Sequence, residues 1–194
     1  MDRKTALQQS GYEDVFDNIH GLYARLDDAF QEQFKRSVPL PDTIVDRWER
    51  ATRLGFGKGA SIYDSSYVFG EVKVGEHTWI GPFTIIDGSG GLSIGNNCTI
   101  SAGVHVYTHD NVGQTVTGGK MPIERVAVAI GDRTYIAPNV IISKGITIGS
   151  CCIIGANSFV NRSIPDNSVA AGTPAKIIGK VVVEESKFHI EYFK

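Results

Sequence analysis

The chain has 194 residues, with 19 basic and 21 acidic side chains and a formal charge of −2. Its 42% hydrophobic content supports a sizeable core and excludes wholesale disorder, and the balanced charge excludes the basic field that drives nucleic-acid binding. Charges interrupt the first apolar stretch and no run approaches the roughly 18 apolar residues of a membrane span, so neither a signal peptide nor a span is read and a cytoplasmic protein is expected.

Residues 12–36 read as an amphipathic helix, with Val15, Ile19, Leu22, Leu26 and Phe30 at three- and four-residue steps. The Ser37–Pro41 stretch breaks it. Asp42 is then a predicted N-cap for a short helix carrying Ile44, Val45 and Trp48. Residues 1–58 are thus expected to form an N-terminal helical segment that covers the open edge of the β structure beginning near residue 59 and helps to shape a binding pocket there.

From residue 59 to 180 the pattern changes to a period of six. The anchors are Val68, Val74, Ile80 and Ile86, then Ile94, Ile100 and Val106, then Ile130, Ile136, Ile142, Ile148, Ile154 and Val160. Gly75, Gly81, Gly95, Gly131, Gly149 and Gly155 directly follow anchors, and are expected to give the corners backbone angles that other residues resist. The position four after an anchor is often small or β-branched, as in Thr78, Thr84, Cys98, Val104, Thr134, Val140, Cys152 and Ser158. Six does not fit a helix, but it fits a short strand plus a corner with the anchor pointing inward. Three such units close a triangular turn, and turns stack at the strand spacing of about 4.8 Å. With 22 glycines and only six leucines, the chain is predicted to be an all-β solenoid, a parallel β-helix. The repeat slips by two residues at Gly88–Gly91 and is interrupted at 107–128, which reads as an extruded loop. Residues 181–194 are expected to lay a final strand or helix across the last coil.

Residues 94–110, IGNNCTISAGVHVYTHD, and 130–179, beginning IGDRTYIAPNV and ending AAGTPAKIIG, resemble the hexapeptide-repeat acetyltransferases. They are most similar to the maltose, galactoside and surface-polysaccharide O-acetyltransferase branch. The resemblance implies a left-handed coil, a homotrimer with active sites between subunits, and acetyl-CoA as co-substrate. It also implies a sugar or polysaccharide acceptor. His109 matches the branch's catalytic histidine, while Ala156, Asn161, Arg162 and Lys176 stand at its coenzyme-binding positions.

The chemistry of the residues agrees with that assignment. Acetyl transfer to a hydroxyl needs a base, and histidine titrates nearest neutrality. His109 stands at the mouth of the extruded loop, whereas His105 is expected to point outward and His20, His77 and His189 to be solvated or structural. Anchors 86 and 106 share a face on adjacent turns, which places Asp87 about one rung, roughly 5 Å, from Tyr107 and near His109. Asp87 is the expected orienter of the imidazole, with Asp110 or a backbone carbonyl as its rivals. Arg162 and Lys176 suit phosphates through charge-assisted hydrogen bonds. The three cysteines form neither a disulfide framework nor a zinc set, and Cys98 and Cys152 read as interior packing, so direct transfer without an acetyl-enzyme is expected.

Four alternatives remain at this level, the first an enzyme that detoxifies small hydroxylated compounds by the same acyl transfer. An amino-sugar N-acetyltransferase would use the same base. A zinc site would need His77, His105 and His109 to meet, although they do not recur at the coil period. A non-enzymatic scaffold would leave the histidine at the loop mouth without a role.

Overall fold

The computed structural model describes residues 3–193, and the chain divides into two compact units between Asp46 and Arg47. The first unit contains helices α1 (Arg3–Ser10), α2 (Glu13–Phe34) and α3 (Leu40–Ile44). Helix α2 ends at Lys35, whose left-handed conformation lets its own N–H donate to Gln31 O and the N–H of Arg36 donate to Phe30 O. Asp42 is not an N-cap. It lies inside α3, which starts from Pro39 because Pro41, in the first turn, has a backbone angle preset for a helix. The single helix expected here is two: Val45 is extended, and α4 (Arg47–Arg53) begins the second unit.

The second unit is a triangular parallel β-coil. Its first face stacks Ile62, Ile80, Ile100, Ile136, Ile154 and Ala170 in parallel register. The second stacks Val68, Ile86, Val106, Ile142 and Val160. The third stacks Val74, Ile94, Ile130, Ile148 and Ile164. Twelve of the thirteen predicted anchors are buried, and Val68 is half-buried against the same core. All eight residues four positions after an anchor are buried too, so each corner sends a second side chain inward. Helix α4 packs Ala51 into this core, while Arg50 donates to the carbonyls of Tyr63 and Ser66 and pairs with Asp64 at 3.4 Å.

The corners work differently from the sequence expectation. The left-handed residue is the third after the anchor: His77, Phe83, Asn97, Arg133, Asn139, Cys151, Asn157 and Asn167 all have positive φ. The glycines directly after anchors have ordinary angles. They are required because the next rung passes too close for a Cβ: one built at Gly95 would lie 2.3 Å from Asp132 Oδ1, and one at Gly149 2.2 Å from Asp166 Oδ1. Those same side chains run a polar ladder up the corner after the third face. Asn96 Oδ1 accepts from Glu76 N, Asp132 Oδ1 from Asn96 N, Ser150 Oγ from Asp132 N, and Asp166 Oδ1 from Ser150 N, at 2.7–3.1 Å.

Two irregularities shape the candidate site. The first is the two-residue slip, where Ile85–Ile94 continues as one strand around the corner from the second face to the third. The second is the excursion between Val106 and Ile130, in which His109–Asp110 pairs antiparallel with Glu124–Arg125 to form a neck. Beyond the neck lies a short helix, α5 (Val112–Val116). After the last rung, Ala175–Glu184 and Lys187–Tyr192 form an antiparallel hairpin, so the tail is strand and starts earlier than residue 181.

Candidate active site

Asp87 directly follows the buried anchor Ile86, and its side chain is 1% exposed. Its Oδ1 accepts the N–H of Ser89 at 3.0 Å; its Oδ2 accepts the N–H and the hydroxyl of Thr108 at 2.8 and 3.1 Å. The Thr108 hydroxyl in turn accepts the N–H of Gly90 at 2.8 Å, so the slipped strand wraps around Thr108. His109 Nδ1 completes the cluster, 2.7 Å from Asp87 Oδ2. Burial alone would raise the Asp87 pKa. The hydrogen bonds from Ser89, Thr108 and His109 outweigh it and hold the carboxyl well below the usual carboxylate range. An ionised carboxylate accepts only, so His109 Nδ1 donates to it, and in the neutral imidazole the lone pair is then on Nε2.

Asp110, the rival orienter, turns the other way. Its carboxylate meets Lys144 and accepts the N–H of Val112 at 3.1 Å, and the lysine contact lowers its pKa. His105 stands on the outer surface of the second face, 3.3 Å from the Tyr107 hydroxyl. His77 occupies a corner, His20 stacks on Phe16 within α2, and His189 faces Glu191 at 3.6 Å in the hairpin. Among the described residues, no three His, Cys, Asp or Glu side chains cluster as a metal site.

The four predicted coenzyme contacts are all exposed and fall on two different edges. Asn161 and Arg162 follow anchor Val160, on the same edge as Tyr107 and Thr108 two rungs earlier. Ala156 follows Ile154 on the edge after the first face, and Lys176 lies opposite Ala171 at that edge. One chain therefore brings His109, Asn161 and Arg162 to one edge and leaves Ala156 and Lys176 on another. Cys98 and Cys152 point into the core, where each thiol reaches a corner carbonyl, Gly131 O and Pro165 O, at 3.1 Å.

Sequence reasoning missed Ser89, Thr108 and Lys144. Lys144 was within reach of the same arithmetic that found Asp87: it stands two after Ile142, which pairs with Val106, just as Thr108 stands two after Val106.

The family model for the bacterial transferase hexapeptide (six repeats) matches residues 127–162, and that for the hexapeptide repeat of succinyl-transferase matches residues 71–108. Both matches fall within the coil, which carries the hexapeptide repeat that these models describe. The stretch between the two matches is the neck and loop that carry His109. The chain is 29% identical over 141 residues to galactoside O-acetyltransferase of Escherichia coli (strain K12), covering 62% of this chain and 70% of that one. It is 32% identical over 117 residues to the candidate colanic acid biosynthesis acetyltransferase WcaF of the same strain, covering 59% of this chain but only 62% of the relative. Its fold superposes on the hexapeptide-repeat-containing acetyltransferase VCA0836 of Vibrio cholerae O1 biovar eltor, solved with acetyl coenzyme A. The TM-score is 0.58 at 21% identity, covering 88% of this chain and 91% of that one. Among the described residues, no helix is long and apolar enough to cross a membrane.

Proposed function

We propose that the protein is an acetyl-CoA-dependent O-acetyltransferase acting on a sugar hydroxyl, of a surface polysaccharide or its precursor. The observation that carries this reading is the His109 Nδ1 to Asp87 Oδ2 contact of 2.7 Å, which leaves Nε2 as a free base at the mouth of the loop. The acceptor class is supported by the galactoside and colanic acid relatives, and the donor by the acetyl coenzyme A complex of the shared fold.

In this mechanism His109 Nε2 takes the acceptor's hydroxyl proton as the oxygen attacks the thioester carbonyl carbon. The C–S bond then breaks, the coenzyme leaves as thiolate, and the imidazolium returns the proton to sulfur. The products are the acetyl ester and free coenzyme A. Asp87 touches no reacting atom. It is a positioning residue that fixes the imidazole tautomer and stabilises the imidazolium. Arg162 and Lys176 are the proposed phosphate partners, with Ala156 and Asn161 lining the pantetheine path. Their division between two edges fits a site assembled between neighbouring subunits of a homotrimer, in which one chain's His109 edge faces the next chain's Lys176 edge.

The test is release of free thiol from acetyl-CoA against sugars, oligosaccharides and amino sugars, for wild type and His109→Ala. Turnover on hydroxyl acceptors that falls by at least about 10²-fold in the variant is expected. Turnover that survives the substitution removes His109 as the base, and turnover confined to amino sugars replaces O-transfer with N-transfer.

A further inference from the structure

The neck that delivers His109 contains a conflict in its own pairing. His109–Asp110 and Glu124–Arg125 pair antiparallel over two residues only, and the register sets Asp110 directly opposite Glu124. Like charges directly across a strand pair repel, and a two-residue pair has little else to hold it. The repulsion is answered from outside the neck. Lys144 comes from the next rung, two residues after anchor Ile142, and its side chain is only 22% exposed. Its ammonium contacts Asp110 Oδ2 and lies 3.1 Å from Glu124 Oε2, so one cation bridges both carboxylates.

The backbone beneath Lys144 ties the same parts together. The N–H of Gly145 donates to Val126 O at 3.3 Å, and the N–H of Val126 donates to Thr108 O at 2.9 Å. The N–H of Thr108 donates to Asp87 Oδ2, the atom that also holds His109 Nδ1. A Cβ at Gly145 would lie 3.2 Å from Val126 Cγ1, so the neck sits directly on this rung. Position 144 therefore joins the coil to both strands of the neck at the place where the neck carries the histidine.

We propose that Lys144 is a positioning residue: by bridging Asp110 and Glu124 it closes the 107–128 neck and sets His109 on Asp87. The inference rests on the reading of His109 as base for its effect on turnover, but not for its effect on the loop.

Two readouts separate these effects in the full-length protein. Lys120, beyond the neck, and Arg125, within it, are both exposed, so limited trypsinolysis at these bonds, followed by mass spectrometry, reports neck opening without any chemistry. Lys144→Met is expected to raise cleavage there about tenfold and to lower kcat about tenfold, with both KM values within about twofold of wild type. Lys144→Arg, which keeps the cation, should restore both. Glu124→Gln added to Lys144→Met removes the repulsion and should bring both readouts back to within about threefold of wild type. Cleavage of Lys144→Met at the wild-type rate, no recovery in the double variant, or faster cleavage with unchanged kcat would each overturn the proposal. Activity that survives His109→Ala would overturn the base reading instead, and would leave the cleavage comparison as the measure of the Lys144 bridge.

Discussion

His109 Nδ1 lies 2.7 Å from Asp87 Oδ2 across 22 residues of sequence, and Asp87 is the fixed member of the pair. Its carboxylate is also held by Ser89 and Thr108, independently of the imidazole. Asp87→Asn should therefore damage turnover beyond its effect on stability. An amide facing Nδ1 donates where the carboxylate accepted, which favours the wrong tautomer. A fall in kcat/KM of about 10²-fold or more is expected, with coenzyme binding retained. A variant of near wild-type activity would remove Asp87 from the reaction.

The same carboxylate makes a pH-dependent contribution to folding. Burial opposes ionisation, but the hydrogen bonds from Ser89, Thr108 and His109 win, so the folded pKa lies below the unfolded value of about 3.9. A depressed folded value means that the stabilisation is complete above the unfolded pKa and is lost as pH falls toward the folded one. The stability gap between wild type and Asp87→Asn, from urea unfolding, should shrink as the pH falls below about 4. A gap that widens on acidification would reverse the assigned shift.

The six-residue period was enough to read the coil and the Asp87–His109 approach, because a side-chain repeat and a rung repeat are the same quantity in a solenoid. What escaped depended on broken spacing. The last turn shortens, so Ile164 and Ala170 replace the positions that a strict period would choose after Val160. Ile62 precedes the first recognised anchor. The corner ladder of Asn96, Asp132, Ser150 and Asp166 joins residues 16–36 apart, and the extruded loop hides that separation from any fixed-period search. The neck is local pairing outside the repeat, so the Asp110–Glu124 opposition has no periodic signature, although the rung position of Lys144 does.

The corner glycines offer a direct test of crowding against flexibility. Gly95 has no positive φ, so alanine costs nothing in backbone angle there. Its Cβ, however, would meet Asp132 Oδ1 at 2.3 Å and Asp132 N at 2.7 Å, at the step where Asp132 accepts from Asn96. Gly95→Ala should destabilise by about 2–4 kcal/mol through displaced backbone and a broken ladder. A loss below about 0.5 kcal/mol would show that neighbouring rungs part easily at this corner.

Inside the coil, Thr84 shares its column with Ser66 and Ser158, whose hydroxyls donate to the carbonyls of Gly81 and Gly155. Val104 and Val140 occupy the equivalent position on the next two turns, and both are fully buried, as is Thr84. Among the described residues the Thr84 hydroxyl has no hydrogen-bond partner. Thr84→Val keeps the shape and removes an unsatisfied polar group, so chemical denaturation should show a gain of about 1–2 kcal/mol. Unchanged or lower stability would mean that the hydroxyl is satisfied within the core.

The cysteines separate direct transfer from an acyl-enzyme route. Burial pushes the Cys98 and Cys152 thiols above their ordinary values, and both are sealed in the core. A thiol held in that form is a poor nucleophile and has no path to a thioester. Cys151, partly exposed at a corner, is the accessible one. A thiol reagent should therefore modify one cysteine per folded chain, none in Cys151→Ser, and all three after denaturation. Acetyl-CoA supplied without acceptor should leave no acetyl group on the protein, and Cys151→Ser should turn over at the wild-type rate. Acetyl recovered on any cysteine would replace the single-step mechanism with a two-step one, and would leave His109 to activate a thiol instead of the acceptor hydroxyl.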